Sequence, residues 1–248
     1  MKMMQAAAVI SYSSYHNPFI ARCIDEAKKV AAEVIVVSYD HFFDGQVDTE
    51  LLKLEGVNHI KLKYSPGHSS RHYHNEGRKA GFDAIQNKDI DGVFFIDSDE
   101  ILEGQKVASW MLEIAEPTED YKLAHFWYYR DTCYRAKQVE EGAVFLSMQT
   151  ATSPLINWYS EREREGFSNR WNYMEGYKGR PLGHHYSWAG TKDMLLRKVN
   201  SWGHNADNFN WIGMVENEFS HDFDFKCPFR PQYQFIQVEP YVKFAFNE

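Results

Sequence analysis

Short unbroken apolar runs, separated by segments of helical period, constrain this chain more than any other feature. Residues 6–13 form one such run, ending among the hydroxyls of Ser11, Tyr12 and Ser13. Val34-Ile35-Val36-Val37 is β-branched and stops at Ser38-Tyr39-Asp40, and Gly92-Val93-Phe94-Phe95-Ile96 runs straight into Asp97-Ser98-Asp99-Glu100. Between the first two, residues 18–32 carry Ile20, Cys23, Ile24, Ala27 and Val30 at helical spacing. A further strand is expected over 59–63, a short helix over 51–54 and a longer one over 70–86. Another helix is expected around Val107, Trp110, Met111 and Ile114, stopped by Pro117. Strands covered on both faces read as continuous hydrophobic runs, so the pattern predicts an α/β fold with a mostly parallel sheet flanked by helices. In such sheets the ligand-facing groups lie past the carboxyl ends of the strands. Ser11-Tyr12-Ser13, Asp40 and Asp97-Ser98-Asp99 all fall there.

The second half is less regular. Residues 123–129 and 143–148 read as strands paired across a polar connection, 192–202 as an amphipathic helix, and 161–181 as a long loop or lid. With no repeat or linker, residues 1–248 are expected to form one domain. Twenty-seven basic against 35 acidic residues leave a net charge of −8, which opposes non-specific contact with nucleic acid. Cys23, Cys133 and Cys227 are odd in number and far apart, which argues against a disulfide framework and a zinc knuckle. The N-terminal apolar run is too short for a signal peptide and no later run approaches a membrane span, so a cytoplasmic protein is expected.

The acidic triplet carries the chemistry. Two carboxylates one residue apart, at the end of a buried strand, raise each other's pKa unless positive charge sits between them. A divalent cation supplies it, and oxygen ligation suits Mg²⁺ or Mn²⁺ bridging to diphosphate oxygens. The alternative is a helix N-cap with Glu100 in the first turn.

These residues resemble a known family. His74-Asn75-Glu76-Gly77-Arg78 followed by Gly92 to Glu100 is similar to the core of GT-A-fold glycosyltransferases, whose sheet is Rossmann-like and mixed. The opening Val9-Ile10-Ser11-Tyr12 and the Val34-to-Val37 strand fit as well. His74 stands where that family has Arg, with Arg71 one turn earlier, and Ser38-Tyr39-Asp40 replaces an acidic pair. Farther on, Gly183-His184-His185-Tyr186-Ser187-Trp188, with the helix bearing Lys198 and Ser201 and reaching His204, is similar to the β-1,4-mannosyl-glycoprotein N-acetylglucosaminyltransferase family.

The resemblance implies a metal-dependent hexosyl- or N-acetylhexosaminyl-transferase moving sugar from a nucleotide-sugar, a UDP-sugar foremost, to an acceptor hydroxyl on a glycan or another molecule. Residues 1–116 would bind the nucleotide and 117–248 the acceptor. Asp99 would ligate the metal, Asp97 the metal or the donor ribose, and His185 would be a third ligand. Ser11, Tyr12 and Ser13 would line the base slot, with Asp40 on the ribose or base, Asn75 beside the donor, and Arg71 or Arg78 aimed at the diphosphate. If the anomeric centre inverts, a carboxylate must deprotonate the acceptor. Asp193, in Gly190-Thr191-Lys192-Asp193, resembles the base region of inverting relatives, and Glu175 is the second candidate. For Asp193 the alternative is a first-turn acid favoured by the helix dipole. Trp171, Tyr173 and Trp188 are candidates for stacking on a sugar. His72 and His74 point apart on a helix and are not expected to share a metal.

Two rivals stand beside this reading: a nucleotidyltransferase, which usually has a glycine-rich loop where Ser11 to Asn17 has none, and a non-catalytic sugar- or nucleotide-binding module. Residues 128–137 mix basic and aromatic side chains, which leaves hydroxylated DNA bases as a less favoured acceptor.

Overall fold

The computed structural model describes residues 4–87, 89–154, 158, 174–201 and 209–243, with backbone only at Ser70 and Arg71. The first half alternates as its period predicts. Strand β1 (Ala6–Tyr12) leads through a 3₁₀ turn (Ser14–His16) into α1 (Asn17–Ala27), and β2 (Glu33–Tyr39) and β3 (Asn58–Leu62) follow. Then come α2 (Ser70–Asp83), β4 (Gly92–Asp97), a short β5 (Glu100–Leu102) and α3 (Gly104–Glu113). Helix α1 begins with Pro18 in its first turn, where the missing N–H costs no helical bond. The helix expected at 51–54 does not form; the segment runs irregularly, with Leu51 and Leu54 packed against the core.

In the second half β6 (Tyr121–Arg130) and β7 (Tyr134–Ser147) form a long antiparallel pair, followed by the one-turn α4 (Met148–Ala151). The remaining elements are β8 (Met174–Glu175), β9 (Gly183–Ala189), α5 (Lys192–Ser201), α6 (Trp211–Glu218) and β10 (Phe235–Gln237). The sheet order is β3-β2-β1-β4-β7-β6-β9-β5, with β10 on β7 and β8 on β6. Strands β3, β2, β1 and β4 are mutually parallel, whereas β7 lies antiparallel to β4 and β6. The fold is thus mixed α/β with a largely parallel sheet flanked by helices, as the alternation predicts. Most of the expected 161–181 loop, including Trp171 and Tyr173, lies outside the described residues, as does His204.

Alternation along β1 sends Ala6, Ala8 and Ile10 to one apolar cluster with α1 and α3, and Ala7 and Val9 to another under α2. Helix α2 lies close to the sheet because glycines face it. A Cβ on Gly81 would come within 2.3 Å of the Val9 side chain, and one on Gly77 would meet Val37 at 3.7 Å. That approach lets the middle of α2 reach the ends of β1 and β4. A third cluster joins Trp127, Tyr129 and Trp188 of the antiparallel half to α5, α6 and the C-terminal segment. No helix among the described residues is long and apolar enough to cross a membrane.

Candidate active site

Register builds the site before any side chain is considered. Ser11 on β1 lies beside Asp97 on β4 and Val37 on β2, and the Ser98 N–H donates to the Ser11 carbonyl at 2.9 Å. Past these strand ends opens a cleft of about 650 Å³. Asp99 stays in place because the next residues pair with β9: Glu100 lies opposite His185, and the Tyr186 N–H donates to the Asp99 carbonyl at 2.9 Å. Period-two alternation on β9 then separates the two histidines. His185 lines the cleft. His184 turns inward, hydrogen-bonded to the Tyr128 hydroxyl at 2.8 Å, 3.3 Å from a Glu103 oxygen and stacked on Tyr241.

Each carboxylate of the Asp-Ser-Asp triplet meets a basic side chain from a distant segment. Arg78, buried in α2, donates to Asp97 Oδ1 at 3.0 Å. Lys198, from α5, donates to Asp99 Oδ2 at 3.0 Å and to the Ser187 carbonyl at 2.7 Å. His16 Nε2 also sits 3.0 Å from Asp99 Oδ2, while its Nδ1 lies 3.0 Å from Ser98 Oγ. Burial alone would raise the Asp99 carboxyl, but His16 and Lys198 reverse this and hold it well below the ordinary carboxylate range. Burial pushes His16 down, and Asp99 opposes that shift. A neutral imidazole satisfies both neighbours if Nε2 donates to Asp99 and Nδ1 accepts from Ser98.

Toward β2 the cleft becomes aromatic. Phe43 stacks on Tyr73 with ring centroids 5.1 Å apart and meets His74 edge-on at 4.9 Å; Tyr39 packs on both Phe43 and Tyr73. This wall sits on a turn after β2, where Phe42 N–H donates to the Gln46 carbonyl and Gly45 takes φ +85°. Arg197 of α5 ties that turn down through Gln46 at 2.8 Å and Asp44 at 3.5 Å, with its guanidinium over the Phe42 ring. At the opposite end Trp127, Trp188, Trp211 and Phe229 line the cleft, with Glu140 and Glu141 beside them.

The expected residues divide clearly. Ser11, Tyr12, Ser13, Asn75, Arg78, Asp97, Asp99, His185 and Trp188 all line the cleft. Asp40 does not: its carboxylate accepts from the Tyr64 N–H and from His41, both at 2.8 Å, and these bonds, the Tyr64 one foremost, hold it below its ordinary pKa. The acid that lines this end is Asp48, buried and accepting from the Ser14 and Glu50 N–H groups at 3.2 Å. Arg71 belongs to α2, and its side chain lies outside the described atoms. Asp193 is exposed in the first turn of α5 and does not line the cleft. Lys198 turns to the cleft, and a residue five positions earlier on a helix faces roughly 140° away, so Asp193 points away from it. Glu175 sits on β8 beside Leu123, also off the cleft. In residues 128–137, Tyr128 and Tyr129 are buried and present no stacking face to nucleic acid. Roles for His16, Lys198 and Asp48 escaped the sequence reading. Of these only Lys198 carried a signal, its place in the helix after the His-His segment.

The donor set bears on a divalent ion. Asp97, Asp99, Glu100 and His185 all line the cleft, and carboxylate with imidazole suits Mn²⁺. Among the described residues no three His, Cys, Asp or Glu side chains are grouped so that they could hold a metal ion by themselves. Mg²⁺-like ions use one or two carboxylates and take their remaining ligands from water and substrate phosphates, so an incomplete protein set fits them.

No family model and no curated protein matches the chain. Among solved structures it is similar to a glycosyltransferase involved in glycosylation of the major capsid of PBCV-1, at 9% identity over 58% of this chain and 61% of that one, with a TM-score of 0.30. It is also similar to the glycosyltransferase GlyE in Streptococcus pneumoniae TIGR4, at 12% identity over 88% of this chain and 64% of that one, TM-score 0.32. A Bacillus anthracis structure assigned as a glucose-1-phosphate thymidylyltransferase, in complex with a sucrose, gives 10% identity over 59% and 72%, TM-score 0.34. The chain thus spans about six-tenths of the length of the capsid-glycosylating enzyme. These likenesses are distant, and the functional reading rests on the cleft.

Proposed function

We propose that this chain is a metal-dependent glycosyltransferase that moves a sugar from a nucleotide-sugar, a UDP-sugar foremost, to an acceptor hydroxyl. One observation carries the reading: a single cleft past the parallel strand ends joins an aromatic slot, a corner of paired carboxylates and cations, and a tryptophan-lined wall. Those three surfaces match a base, a diphosphate and a sugar-bearing acceptor, in that order along the cleft. Ser11 and the Tyr39, Phe43 and Tyr73 rings would hold the base. Arg78 would reach the diphosphate, while Asp97 and Asp99 would hold Mn²⁺ or Mg²⁺ together with donor oxygens, and His185 would join as a third ligand once the donor is bound. The ion, when bound, offsets the charge that builds on the departing nucleoside diphosphate. The protein's own part is to orient donor and acceptor and to exclude water. Trp188 and Trp211 would supply the acceptor wall, with Glu140 and Glu141 as its acids.

The test is calorimetric titration of UDP with and without MnCl₂, followed by a screen of UDP-sugars. Metal-linked UDP binding and release of UDP from one donor are expected. Release of pyrophosphate from UTP and a sugar phosphate would instead make it a nucleotidyltransferase. UDP binding without any metal linkage would leave a binding module.

A further inference from the structure

Lys198 has no part in the proposed transfer as described, yet among the described residues it is the least exposed lysine of the cleft. Its side chain is 9% exposed, and the ammonium spans two elements, bonding Asp99 after β4 and the Ser187 carbonyl on β9. His16 Nε2 lies 3.4 Å from the same nitrogen. Burying an ammonium is costly unless it is paired and hydrogen-bonded, and here both conditions are met. The charge it meets is the one carboxylate of the triplet with almost no exposure to water, Asp99 at 2%. Asp97, by contrast, is 29% exposed along its side chain.

Resting on the transferase reading, we infer that Lys198 is the resident counter-ion of Asp99 and makes divalent-metal binding conditional on the donor diphosphate. The argument is one of occupancy. Lys198 holds Asp99 Oδ2 and Arg78 holds Asp97 Oδ1, so a divalent ion arriving alone must compete with a resident cation at each carboxylate. A nucleoside diphosphate brings further negative charge and oxygen ligands, and only then does the balance favour the ion. Metal and donor therefore bind as a coupled pair, each raising the other's affinity by the same factor. Lys198 is on this account a positioning residue: it sets how strongly Asp99 attracts metal and need not touch the sugar.

The sign of the effect separates this role from a merely structural one. Losing a structural lysine would weaken metal binding or leave it unchanged. Losing a competing counter-ion would strengthen it, because the corner becomes more negative and Asp99 Oδ2 is released. The experiment is titration of MnCl₂ into the full chain, without nucleotide and with saturating UDP, for wild type, Lys198→Met and Lys198→Arg. Wild type is expected to bind Mn²⁺ weakly alone and at least about tenfold more tightly with UDP, a factor that one neighbouring unit charge readily supplies. K198M should bind Mn²⁺ alone about tenfold more tightly than wild type and lose most of the UDP coupling, and K198R should restore both. Unchanged or weaker Mn²⁺ binding in folded K198M overturns the inference while leaving the transferase reading intact. Should K198M not fold, Lys198→Gln takes its place: Mn²⁺ bound more tightly than by wild type without UDP supports the inference, and unchanged or weaker binding overturns it. If wild type binds no Mn²⁺ even with UDP, the transferase reading falls and this inference with it.

Discussion

Two buried carboxylates in this protein, Glu26 and Asp99, are equally hidden from water and are held for different ends. Glu26 lies where α1 meets the start of α3. Its Oε1 accepts from Arg22 at 2.7 Å, Lys29 at 2.8 Å and the Tyr241 hydroxyl at 3.0 Å, and its Oε2 accepts from the Gly104 N–H at 2.9 Å. Both cations come from α1 or its immediate end, and the bonds join two helices and the C-terminal segment. Asp99 takes its partners from the β1–α1 turn and from α5, and it faces the main cleft. One carboxylate is a rivet and the other is a socket. Burial therefore does not mark function; what marks it is where the partners come from and whether a cavity adjoins them.

Four substitutions sharpen this contrast. Asp99→Asn removes the charge that the corner is built around, and turnover should fall by about 10³-fold, the scale seen when a group acting on developing charge is lost. Circular dichroism would show the fold intact, with turnover compared below the lowered melting temperature that loss of a buried pair brings. Glu26→Ala should do the reverse. Breaking a buried pair costs about 3 kcal/mol, which lowers Tm by roughly 6–12 °C in a domain of this size, with turnover of the folded protein near wild type. Turnover lost in proportion to stability in both variants would erase the distinction.

The aromatic slot offers a smaller effect. Phe43→Ala removes a ring stacked on Tyr73, and UDP affinity should weaken about fivefold to tenfold with little change in Mn²⁺ binding. Asp193→Asn should alter turnover by less than about twofold, since an exposed first-turn acid contributes only a few tenths of a kcal/mol through the helix dipole. A larger loss would return Asp193 to the chemistry.

Acid titration separates the rivet in another way. Burial alone would raise the Glu26 carboxyl, but bonds from Lys29, Gly104, Tyr241 and Arg22 bring it below its ordinary 4.5. A group whose folded pKa is depressed stabilises the native state above its unfolded value, and that contribution is lost as pH falls through the folded one. Urea midpoints of Glu26→Gln should therefore decline less than wild type as pH drops from about 5 toward 3.

Legibility followed the range of the interactions involved. The strands at Ala6–Tyr12, Glu33–Tyr39 and Gly92–Asp97 were readable because burial on both faces leaves an unbroken apolar run. The short helix expected over 51–54 failed because two leucines three apart satisfy a helical spacing and an irregular packed segment equally well. His184 and His185 were adjacent in sequence and opposite in fate, since a strand sends neighbours to opposite faces and only the pairing partner decides which face is the cleft. Asp40 stood at the predicted strand end, yet the turn that follows folds back so that Tyr64 and His41 claim it and Asp48 lines the cleft instead.

The sequence by itself determined the parallel half of the sheet and the position of Asp97 and Asp99 at the end of its fourth strand. Both follow from local hydrophobic period and from the rule that such strands end at the ligand side. Only the tertiary structure decided what those carboxylates meet. Lys198 reaches Asp99 from 99 residues away. That pairing depends on how α5 is rotated about its axis, and the same rotation that turns Lys198 inward turns Asp193 out to solvent.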